Sequence, residues 1–239
     1  IFQAIPAIVY CKLYKIPLII WVQDLWPDVI QDLNLIKNKF IVRILKKFVS
    51  YIYNSCDCLF AQSDSFKKEM QKYTKKKIIT VFNPEEKKNF KYTNTRTTEI
   101  VFGGNLGHAQ SLETLIEALK KIESDIVIKI YGNGSKKLYL QQAIKKNNLE
   151  KCCKIYNPTT PKKFSIILKN SSASLILLKK GKALSKTLPA KLQTYLSIGK
   201  PIIASGGKEL NNFIKKNKVG FSCSAEDVNG LANCINKIK

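Results

Sequence analysis

The sequence predicts an α/β fold in which parallel sheets form two successive units. Short apolar runs alternate with amphipathic segments of helical period along nearly the whole chain, a pattern typical of parallel strands joined by right-handed helical crossovers. The apolar runs are nearly continuous, as expected for strands buried on both faces of a sheet. A polar stretch without periodicity, residues 86–98, interrupts the pattern and divides the chain into residues 1–85 and 99–239.

The first unit is predicted to hold only three strands, and its opening reads as the middle of a longer domain. Its strands are expected over 16–22, 58–62 and 77–82. A helix is expected over 3–14, ahead of the first strand. Ser63 suits the N-cap of the helix after the second strand, with Phe66 and Met70 facing inward.

A further helix of the first unit, predicted over 36–52, is both apolar and basic. A stripe of apolar residues keeps the helical period, and the other face carries cations. These are Lys37, Lys39, Arg43, Lys46 and Lys47. Such a helix fits a membrane surface, although the pattern favours a core contact with a solvated outer side.

The second unit repeats the pattern more completely, so a nearly complete doubly wound domain is predicted. Its strands are expected over 99–102, 125–131, 154–156, 173–178, 201–204 and 219–223. Its helices are expected after Ser111 as an N-cap, over 136–146 and 161–169, from Pro189 to 198, and over 225–238. Gly199 is expected to end the fourth of these helices.

The formal charge of +24 calls for an anionic partner. Nucleic acid, anionic lipid and phosphorylated small molecules all fit it. Lysine far exceeds arginine and is spread over both units, whereas phosphate and base recognition usually recruits arginine forks. We therefore interpret much of the charge as compositional background.

Cysteine and histidine usage argues against a metal site. The seven cysteines show no C-x-x-C spacing and the chain has one histidine, so zinc has few ligands available. Reduced thiols are expected, as in a cytosolic protein. No apolar run in these residues is long enough to span a bilayer, and a soluble or peripheral protein is expected.

Residues 183–209 combine a polar loop, a helix opened by Pro189, a Gly-Lys-Pro turn and a short apolar strand. Proline suits the first turn of a helix because its missing N–H costs nothing there. The free N–H groups of that turn, with Ser185, Lys186, Thr187 and Lys191 nearby, offer an anion site. An ordinary αβ unit with solvated lysines explains the same pattern, and both interpretations stay open.

Two glycine loops follow strands of the second unit, at residues 103–107 and 132–134. Backbone N–H groups in such loops can close on a phosphate, although neither loop has the G-x-G-x-x-G spacing of dinucleotide folds. His108, beside the first loop, is either a substrate contact or a structural side chain. Asp24 and Asp28, near the end of a first-unit strand, could orient a sugar hydroxyl, act as a base or cap a helix.

Several motifs together resemble glycosyltransferase family 4, and more narrowly the bacterial transferases that add amino sugars in O-antigen and capsule assembly. They are IPLIIWVQDLWPD, Asn83-Pro84, GGNLGHAQSLETLIEAL, IYGNGS and LPAKLQTYLSIGKPIIASGGKE. The resemblance implies a GT-B fold of two Rossmann-like domains, the first incomplete, with acceptor in the first, nucleotide sugar in the second and reaction in the cleft. It also implies missing segments before Ile1 and after Lys239.

The resemblance assigns a donor site to the second unit. The implied donor-binding residues are Gly104, Asn105, Leu106, Gly107, His108, Gln110, Tyr156, Asn157, Pro189, Gln193 and Thr194. Amides of residues 104–107 would bind the diphosphate, together with Lys191 and the helix N-terminus at Pro189. The backbone around Tyr156 and Asn157 would contact the base.

The chain departs from the family pattern at acidic and basic positions. The family's paired glutamates would fall on Lys186 and Thr194, so Thr194, with Gln193 beside it, must hold the ribose differently. The histidine that many members place at a strand end of the first domain matches Gln23, next to Asp24. Gln23, Asp24 and Lys191 are therefore the predicted catalytic residues.

The function implied is a retaining, metal-independent hexosyl transfer from a nucleoside-diphosphate sugar, most simply a UDP-sugar, without a cofactor. The implied acceptor is a lipid-linked glycan of surface polysaccharide or lipopolysaccharide biosynthesis. An anionic membrane surface is then a partner, the expected location is cytoplasmic and peripheral on the inner face of the cell membrane, and no nucleic acid is expected. Two alternatives remain: a sugar-nucleotide epimerase with the same fold, and a basic nucleic-acid-binding module.

Overall fold

The computed structural model describes residues 1–86, 97–122 and 125–238. The chain forms two compact units. One comprises Ile1–Asn83 together with Gly181–Leu188, and the other comprises Pro84–Lys180 together with Pro189–Lys239. Most of the predicted boundary over 86–98 lies outside the described residues. We call Gly181–Leu188 the strap, because it belongs to the first unit although its neighbours on both sides belong to the second.

The first unit contains three parallel strands and four helices in its described residues. In chain order these are α1 (Ala4–Tyr14), β1 (Ile19–Val22), α2 (Asp28–Asp32), α3 (Lys39–Asn54), β2 (Cys58–Ala61), α4 (Asp64–Met70) and β3 (Ile78–Thr80). The sheet order is β1-β2-β3, with Ile19 opposite Cys58 and Leu59 opposite Ile78. The three predicted strands are confirmed, each shorter than expected.

Helices on this sheet bury the residues that the periodicity indicated. Phe66 and Met70 of α4 are buried, and the Ser63 hydroxyl caps α4 by accepting a hydrogen bond from the Phe66 N–H at 3.1 Å. Helix α3 buries Val49 and Ile52. The predicted contact of α3 with a core is thus confirmed for one face. Helix α2, which has five residues, was not predicted.

The carboxylate of Asp32 makes three backbone contacts that hold the strap in the first unit. Asp32 accepts hydrogen bonds from the N–H groups of Lys182, Ala183 and Leu184 at 2.9, 2.6 and 3.0 Å. Three donors on one carboxylate satisfy most of its acceptor capacity. The strap contains a short 3₁₀ turn, Leu184–Lys186, where the sequence indicated only a polar loop.

An ion pair adds to this anchorage. The Lys186 Nζ lies 2.6 Å from Glu69 Oε1, and Lys72 Nζ lies 2.7 Å from the other oxygen of the same carboxylate. Burial would raise the pKa of Glu69, but the hydrogen bonds from Lys186 and Lys72 outweigh it, so the pKa lies below its ordinary value. The Lys186 side chain therefore helps to hold the strap in the first unit.

The second unit is a six-stranded parallel sheet flanked by helices. Its elements are β4 (Glu99–Gly103), α5 (Leu112–Leu119), β5 (Val127–Tyr131), α6 (Lys137–Lys146), β6 (Cys153–Tyr156), α7 (Pro161–Lys169), β7 (Ala173–Leu177), α8 (Lys191–Ile198), β8 (Ile202–Gly206), α9 (Lys208–Asn217), β9 (Gly220–Ser224) and α10 (Val228–Asn236). The strand order is β6-β5-β4-β7-β8-β9. The predicted α/β fold with parallel sheets is confirmed.

This strand order fixes where a ligand can enter. Counted within the unit, the order is the 3-2-1-4-5-6 arrangement of doubly wound dinucleotide folds. The direction of winding reverses between β4 and β7, which are paired with each other. In open sheets of this kind the ligand crevice lies outside the carboxyl ends of the strands at such a reversal.

Three details of the second unit differ from the sequence-based expectation. Helix α9 was not predicted, because only Leu210 and Ile214 of its lysine- and asparagine-rich sequence are buried. Ser111 lies at the N-cap position of α5, but its hydroxyl donates to the Leu178 carbonyl at 3.0 Å and does not cap the helix. Helix α8 begins at Lys191, so Pro189 precedes the N-cap residue and is not in the first turn.

Other expectations concern composition. All seven cysteines are free thiols. Within the described residues no cluster of three or more His, Cys, Asp or Glu side chains could hold a metal ion. Over the same part of the chain, no helix has both the length and the apolar character needed to cross a membrane.

Candidate functional site

A cavity of about 610 Å³ opens in the second unit where β4 and β5 end. Its lining residues come from the ends of these strands and the loops after them, from the loop between β6 and α7, from α7, from α8 and from the segment after Asn83. They are Glu85, Gly103, Gly104, Asn105, Tyr131, Gly132, Asn133, Pro158, Thr159, Pro161, Phe164, Ser165, Lys191, Thr194 and Tyr195. The cavity therefore lies at the carboxyl edge of the sheet, next to the reversal of winding.

The two glycine loops predicted from the sequence pack against each other at this edge. The Gly104 N–H donates to the Tyr131 carbonyl at 3.0 Å, and the Leu106 N–H donates to the Asn133 carbonyl at 2.8 Å. A Cβ at Gly132 would lie 2.1 Å from the Gly104 carbonyl oxygen. Only a residue without a side chain permits this approach, so Gly132 determines how closely the loops pack.

This packing decides which loop amides can bind an anion. Of the four predicted amides over 104–107, those of Gly104 and Leu106 already donate to backbone carbonyls. In the described part of the chain, the N–H groups of Asn105 and Gly107 have no such partner. Leu106 and Gly107 are both buried, and neither lines the cavity. Of the two unpaired amides, that of Asn105 therefore belongs to a residue that lines the cavity.

The Lys191 ammonium lies at the floor of the cavity, close to the glycine loop. Its Nζ is 3.9 Å from the centre of the Phe102 ring and 3.5 Å from Gln110 Oε1. A Cβ added at Gly104 would lie 3.3 Å from the same nitrogen. Burial lowers the pKa of Lys191 to about 7, because an apolar environment disfavours the charged form.

Helix α8 presents its N-terminus together with this lysine. Lys191 is the first residue of the helix, and Ala190 at the N-cap makes no side-chain cap. A helix N-terminus carries partial positive charge on N–H groups without intrahelical partners. A cation and a helix N-terminus thus coincide beside the loop amides, and the arrangement can bind an anion such as a diphosphate.

Tyr195 and Thr194 connect α8 to other parts of the cavity wall. The Gly103 N–H donates to Tyr195 Oη at 2.9 Å, and Tyr195 is fully buried. Burial raises the pKa of Tyr195 strongly, so its hydroxyl stays protonated. The Thr194 hydroxyl donates to Glu85 Oε2 at 2.6 Å.

Aromatic rings also line the cavity. Tyr131 stacks on Tyr156 with ring centres 4.8 Å apart and planes inclined by 12°. Phe164 meets Tyr131 edge-on at 6.0 Å. A Cβ at Gly103 would lie 2.1 Å from the end of the Phe164 ring. Flat apolar surfaces of this kind suit a planar ring.

The family model described as Glycosyl transferases group 1 matches residues 83–239, which is more than half of the chain. The chain belongs to the glycosyl transferases group 1.

Solved glycosyltransferase structures share the fold of this group 1 chain. The pneumococcal O-GlcNAc transferase GtfA, in complex with UDP and GlcNAc, has a TM-score of 0.74 at 15% identity, covering 98% of this chain and 48% of GtfA. Anabaena Alr3699/HepE, in complex with UDP and glucose, has a TM-score of 0.72 at 14% identity, covering 98% and 65%. The lipopolysaccharide outer core galactosyltransferase WaaB has a TM-score of 0.67 at 17% identity, covering 99% and 63%.

These similarities establish a fold of the GT-B type for the group 1 chain. The chain spans about half to two thirds of the length of these relatives. No curated protein matches it.

The remaining predicted donor residues of the group 1 chain lie around the cavity without lining it. His108 is exposed. Tyr156 reaches the wall through its stacking on Tyr131, and the Asn157 side chain accepts a hydrogen bond from Lys137. The amide of Gln193, oriented to satisfy its neighbours, donates to the Pro189 and Ala190 carbonyls at 3.2 and 2.9 Å. The Gln193 side chain is therefore hydrogen-bonded to the N-terminal end of its own helix, α8.

The two predicted catalytic residues of the first unit share a separate cavity. Gln23 and Asp24 follow β1 and line a cavity of about 410 Å³ together with Trp21, Trp26 and residues of α1. Both side chains are exposed. The Gln23 carbonyl accepts a hydrogen bond from the Gln62 side chain at 2.6 Å, which fixes the backbone where β1 ends.

The 610 Å³ cavity is also lined by Glu85, Tyr131 and Phe164, which were not identified from the sequence. Tyr131 is the last residue of a predicted strand, which is where open sheets place ligand contacts, so a signal existed for it. Phe164 sits in a helical stripe like any core residue. Glu85 gave no signal, because its partner Thr194 is 109 positions away.

Proposed function

We propose that this chain is the part of a glycosyltransferase that binds a UDP-sugar in the 610 Å³ cavity of the second unit. One observation carries the proposal: the ammonium of Lys191, the first residue of α8, lies beside Gly104, and the next loop residue, Asn105, has an N–H without a backbone carbonyl partner in the described residues. Positive groups without anionic partners at one point suit a diphosphate. GtfA and HepE were both solved with UDP, which supports uracil as the base.

The proposed chemistry is a hexosyl transfer with retention, in which the diphosphate leaves the sugar. Charge develops on the diphosphate as the bond to the sugar breaks, and preorganised donors stabilise that charge. Lys191 supplies the full charge, while the Asn105 amide and the helix N-terminus supply partial charges. We propose that this set acts without a metal ion or other cofactor.

The proposed acceptor is a lipid-linked glycan of surface polysaccharide assembly, such as O-antigen or capsule, in keeping with family 4. The cavity after β1 offers a carboxylate, Asp24, and an amide, Gln23, for sugar hydroxyls. Two tryptophan side chains, Trp21 and Trp26, line the same cavity. Planar apolar rings beside polar groups are the usual surroundings of a sugar or other small-molecule ligand.

Such an acceptor requires contact with a membrane, and α3 offers a surface for it. Phe40, Ile44 and Tyr51 are 67%, 51% and 52% exposed, and their spacing places them on one face of the helix. Arg43 and Lys47 are exposed beside them. Apolar side chains flanked by cations are typical of helices that lie on anionic lipid. We propose peripheral attachment to the cytoplasmic face of the cell membrane through this face.

The test of the donor site is a calorimetric titration of the chain with UDP, GDP and dTDP. We expect UDP to bind and Lys191→Met to weaken it strongly. In a transfer assay with the protein that contains this chain, Lys191→Met should lower kcat by about 10²–10³, the usual cost of losing one preorganised donor.

Lys216→Met is the matched control, because Lys216 is an exposed lysine of α9 that does not line the cavity. It should leave UDP binding and turnover unchanged. Normal activity of a folded Lys191→Met variant would contradict the proposed role. Salt-dependent binding of an oligonucleotide, with no binding of any of the three nucleotides, would contradict the proposed function.

A further inference from the structure

We propose that Cys223 and Cys234 form a thiol pair that a peroxide oxidises to a disulfide joining β9 to α10. This site is separate from the proposed transfer of a sugar and does not depend on it. Its substrate belongs to the class of peroxides, of which hydrogen peroxide is the smallest. Its product is a reversible crosslink between an edge strand and the helix that packs on it.

The two cysteines face each other across neighbouring elements. Cys223 belongs to β9 and Cys234 to α10, and the strand and the helix are in contact. A Cβ added at Gly230 would lie 2.8 Å from the Cys223 Cβ, so the strand side chain occupies the space that this glycine leaves. Cys234 follows Gly230 by about one helical turn, and helical side chains lean toward the N-terminus of their helix. The Cys234 thiol therefore leans toward Cys223.

A hydrogen bond between the two thiols gives them different roles. It raises the pKa of Cys223 and lowers the pKa of Cys234, so Cys223 is the donor and Cys234 is the sulfur that ionises. The ammonium groups of Lys237 and Lys215 lower the pKa of Cys234 further, against the opposing effects of burial and Asp227. The thiolate is the nucleophilic form of cysteine, so Cys234 is the sulfur that attacks an oxidant.

Cysteines outside the pair lack this activation. Burial raises the pKa of Cys56, Cys152 and Cys153, which keeps them as thiols near neutral pH. The Cys56 thiol donates to the Ile52 carbonyl at 3.1 Å, an acceptor that cannot be oxidised. A limited amount of peroxide should therefore react at Cys234 before it reacts at these three thiols.

The pair lies at the edge of the second-unit sheet and is not sealed from solvent. The strand order places β9 at one end of the sheet. Cys223 is half-buried, and Cys234 keeps 7% exposure. A site this enclosed suits a small oxidant such as hydrogen peroxide better than it suits the disulfide of another protein.

The reaction balances with hydrogen peroxide as the two-electron oxidant. The Cys234 thiolate attacks one peroxide oxygen, so that an S–O bond forms, the O–O bond breaks and the leaving hydroxide takes up a proton to become water. The Cys223 sulfur then attacks the sulfenic acid on Cys234, and the S–S bond forms as the S–O bond breaks. The Cys223 proton leaves in the second water. Two thiols are oxidised, and one peroxide is reduced to two waters.

The test treats the reduced chain with hydrogen peroxide, blocks the remaining thiols and maps the peptides by mass spectrometry. We expect wild type to lose two of its seven free thiols and to yield one peptide in which Cys223 is joined to Cys234. Cys234→Ser should abolish the crosslink, and Cys223→Ser should leave a sulfenic acid on Cys234 that dimedone traps. Cys152→Ser, at another half-buried cysteine of the second unit, is the control and should keep the crosslink.

The crosslink should also stabilise the second unit, because a disulfide restricts the unfolded chain. The oxidised wild type should unfold about 5 °C or more above the reduced form, and dithiothreitol should reverse the shift. A lower unfolding temperature after oxidation would show that the bond distorts the fold, and would overturn the pair as a site built to close.

Two further results would contradict the pair. One is a crosslink between other cysteines, and the other is oxidation of Cys234 to a sulfinic acid while Cys223 stays free. Oxidation of the urea-unfolded chain should show no preference for these two thiols, because the fold brings them together. An equal preference there would mean that their closeness in sequence directs the reaction. Thermal unfolding of each reduced variant checks that the substitutions leave the chain folded.

Discussion

Lys191 is the residue whose protonation matters most for the proposed site. Its pKa is lowered to about 7 by burial, and its nearest polar partner is the neutral amide of Gln110. Between about pH 7 and 10.5, the unfolded chain holds a proton at this lysine that the folded chain has lost. The free energy of unfolding should therefore rise with pH in this window.

A diphosphate should reverse this shift, because an anion beside the ammonium favours the charged form. At a pH near 8, roughly one unit above the lowered pKa, UDP binding should therefore take up protons, fewer than one per site. Calorimetry in two buffers with different ionisation enthalpies measures the uptake directly. The difference between buffers should vanish in Lys191→Met. Equal enthalpies in both buffers for wild type would show that this lysine does not meet the phosphates.

Residues with local signatures were predictable from the sequence, and residues with distant partners were not. Lys191 stands out because a helix start, a proline and a lysine occur together. Gly104 and Gly132 stand out because glycine follows a strand end. Glu85 has no local signature, because only folding brings its partner Thr194 near. Long-range contacts of this kind are not encoded in any short window of sequence.

At the scale of elements, the strap depends on Asp32 more than on any other side chain. Its carboxylate accepts from three successive N–H groups, and two of those residues, Ala183 and Leu184, are buried. Asp32→Ala should lower the free energy of unfolding by about 2–3 kcal/mol, the cost of leaving buried donors of a charged acceptor unsatisfied. Urea unfolding of the chain measures it.

Two companion variants make this measurement specific. Asp32→Asn keeps one carbonyl acceptor and should lose about half as much. Glu150→Ala removes an exposed carboxylate of the second unit and should change little. An Asp32→Ala variant as stable as Glu150→Ala would mean that the strap is held by other contacts.

Helix α3 has one apolar set that is buried and another that is exposed. The sequence left open whether it faces a core or a membrane. One face packs into the first unit through Val49 and Ile52, and the other exposes Phe40, Ile44 and Tyr51. Periodicity alone could not separate the two apolar sets, because they interleave along the same sequence.

The exposed face of α3 can be tested with vesicles. The double substitution Phe40→Ser with Ile44→Ser should abolish flotation with vesicles of phosphatidylcholine and phosphatidylglycerol, because it removes the apolar area that enters the lipid. Wild type should float with these vesicles, less so at high salt, and not with phosphatidylcholine alone. Leu138→Ser, at a 74% exposed position of the second unit, is the control. Flotation of the double variant equal to that of the control would contradict the assignment.

For the whole molecule, the sequence predicted the class of fold but not the order of its strands. Alternating strands and helices require parallel pairing, and every described pair is parallel. The same alternation is compatible with several strand orders. The order β6-β5-β4-β7-β8-β9 depends on which helix covers which face. Helix α9 was missed for a related reason, since two buried residues make a weak stripe.

The net charge of +24 also acts at this scale. A large charge of one sign attracts anionic ligands over distances near the Debye length and depends on salt. It accelerates encounters with nucleotides and lipids without selecting among them. Selection among anions depends on the charged groups that line a particular cavity, such as Lys191 and Glu85 in the 610 Å³ cavity.

The strap has a practical consequence for anyone who wants to cut this protein in two. Cleavage or gene truncation near residue 90 separates the two units as they follow each other along the sequence. The first unit, however, also includes Gly181–Leu188. A polypeptide ending there lacks Gly181–Leu188, which includes the three residues whose N–H groups bond to Asp32. A polypeptide starting there carries them without their anchor, as an open site for proteases. Two soluble halves are best sought by co-expression. The second fragment then supplies Gly181–Leu188, which can bind to the first fragment through Asp32.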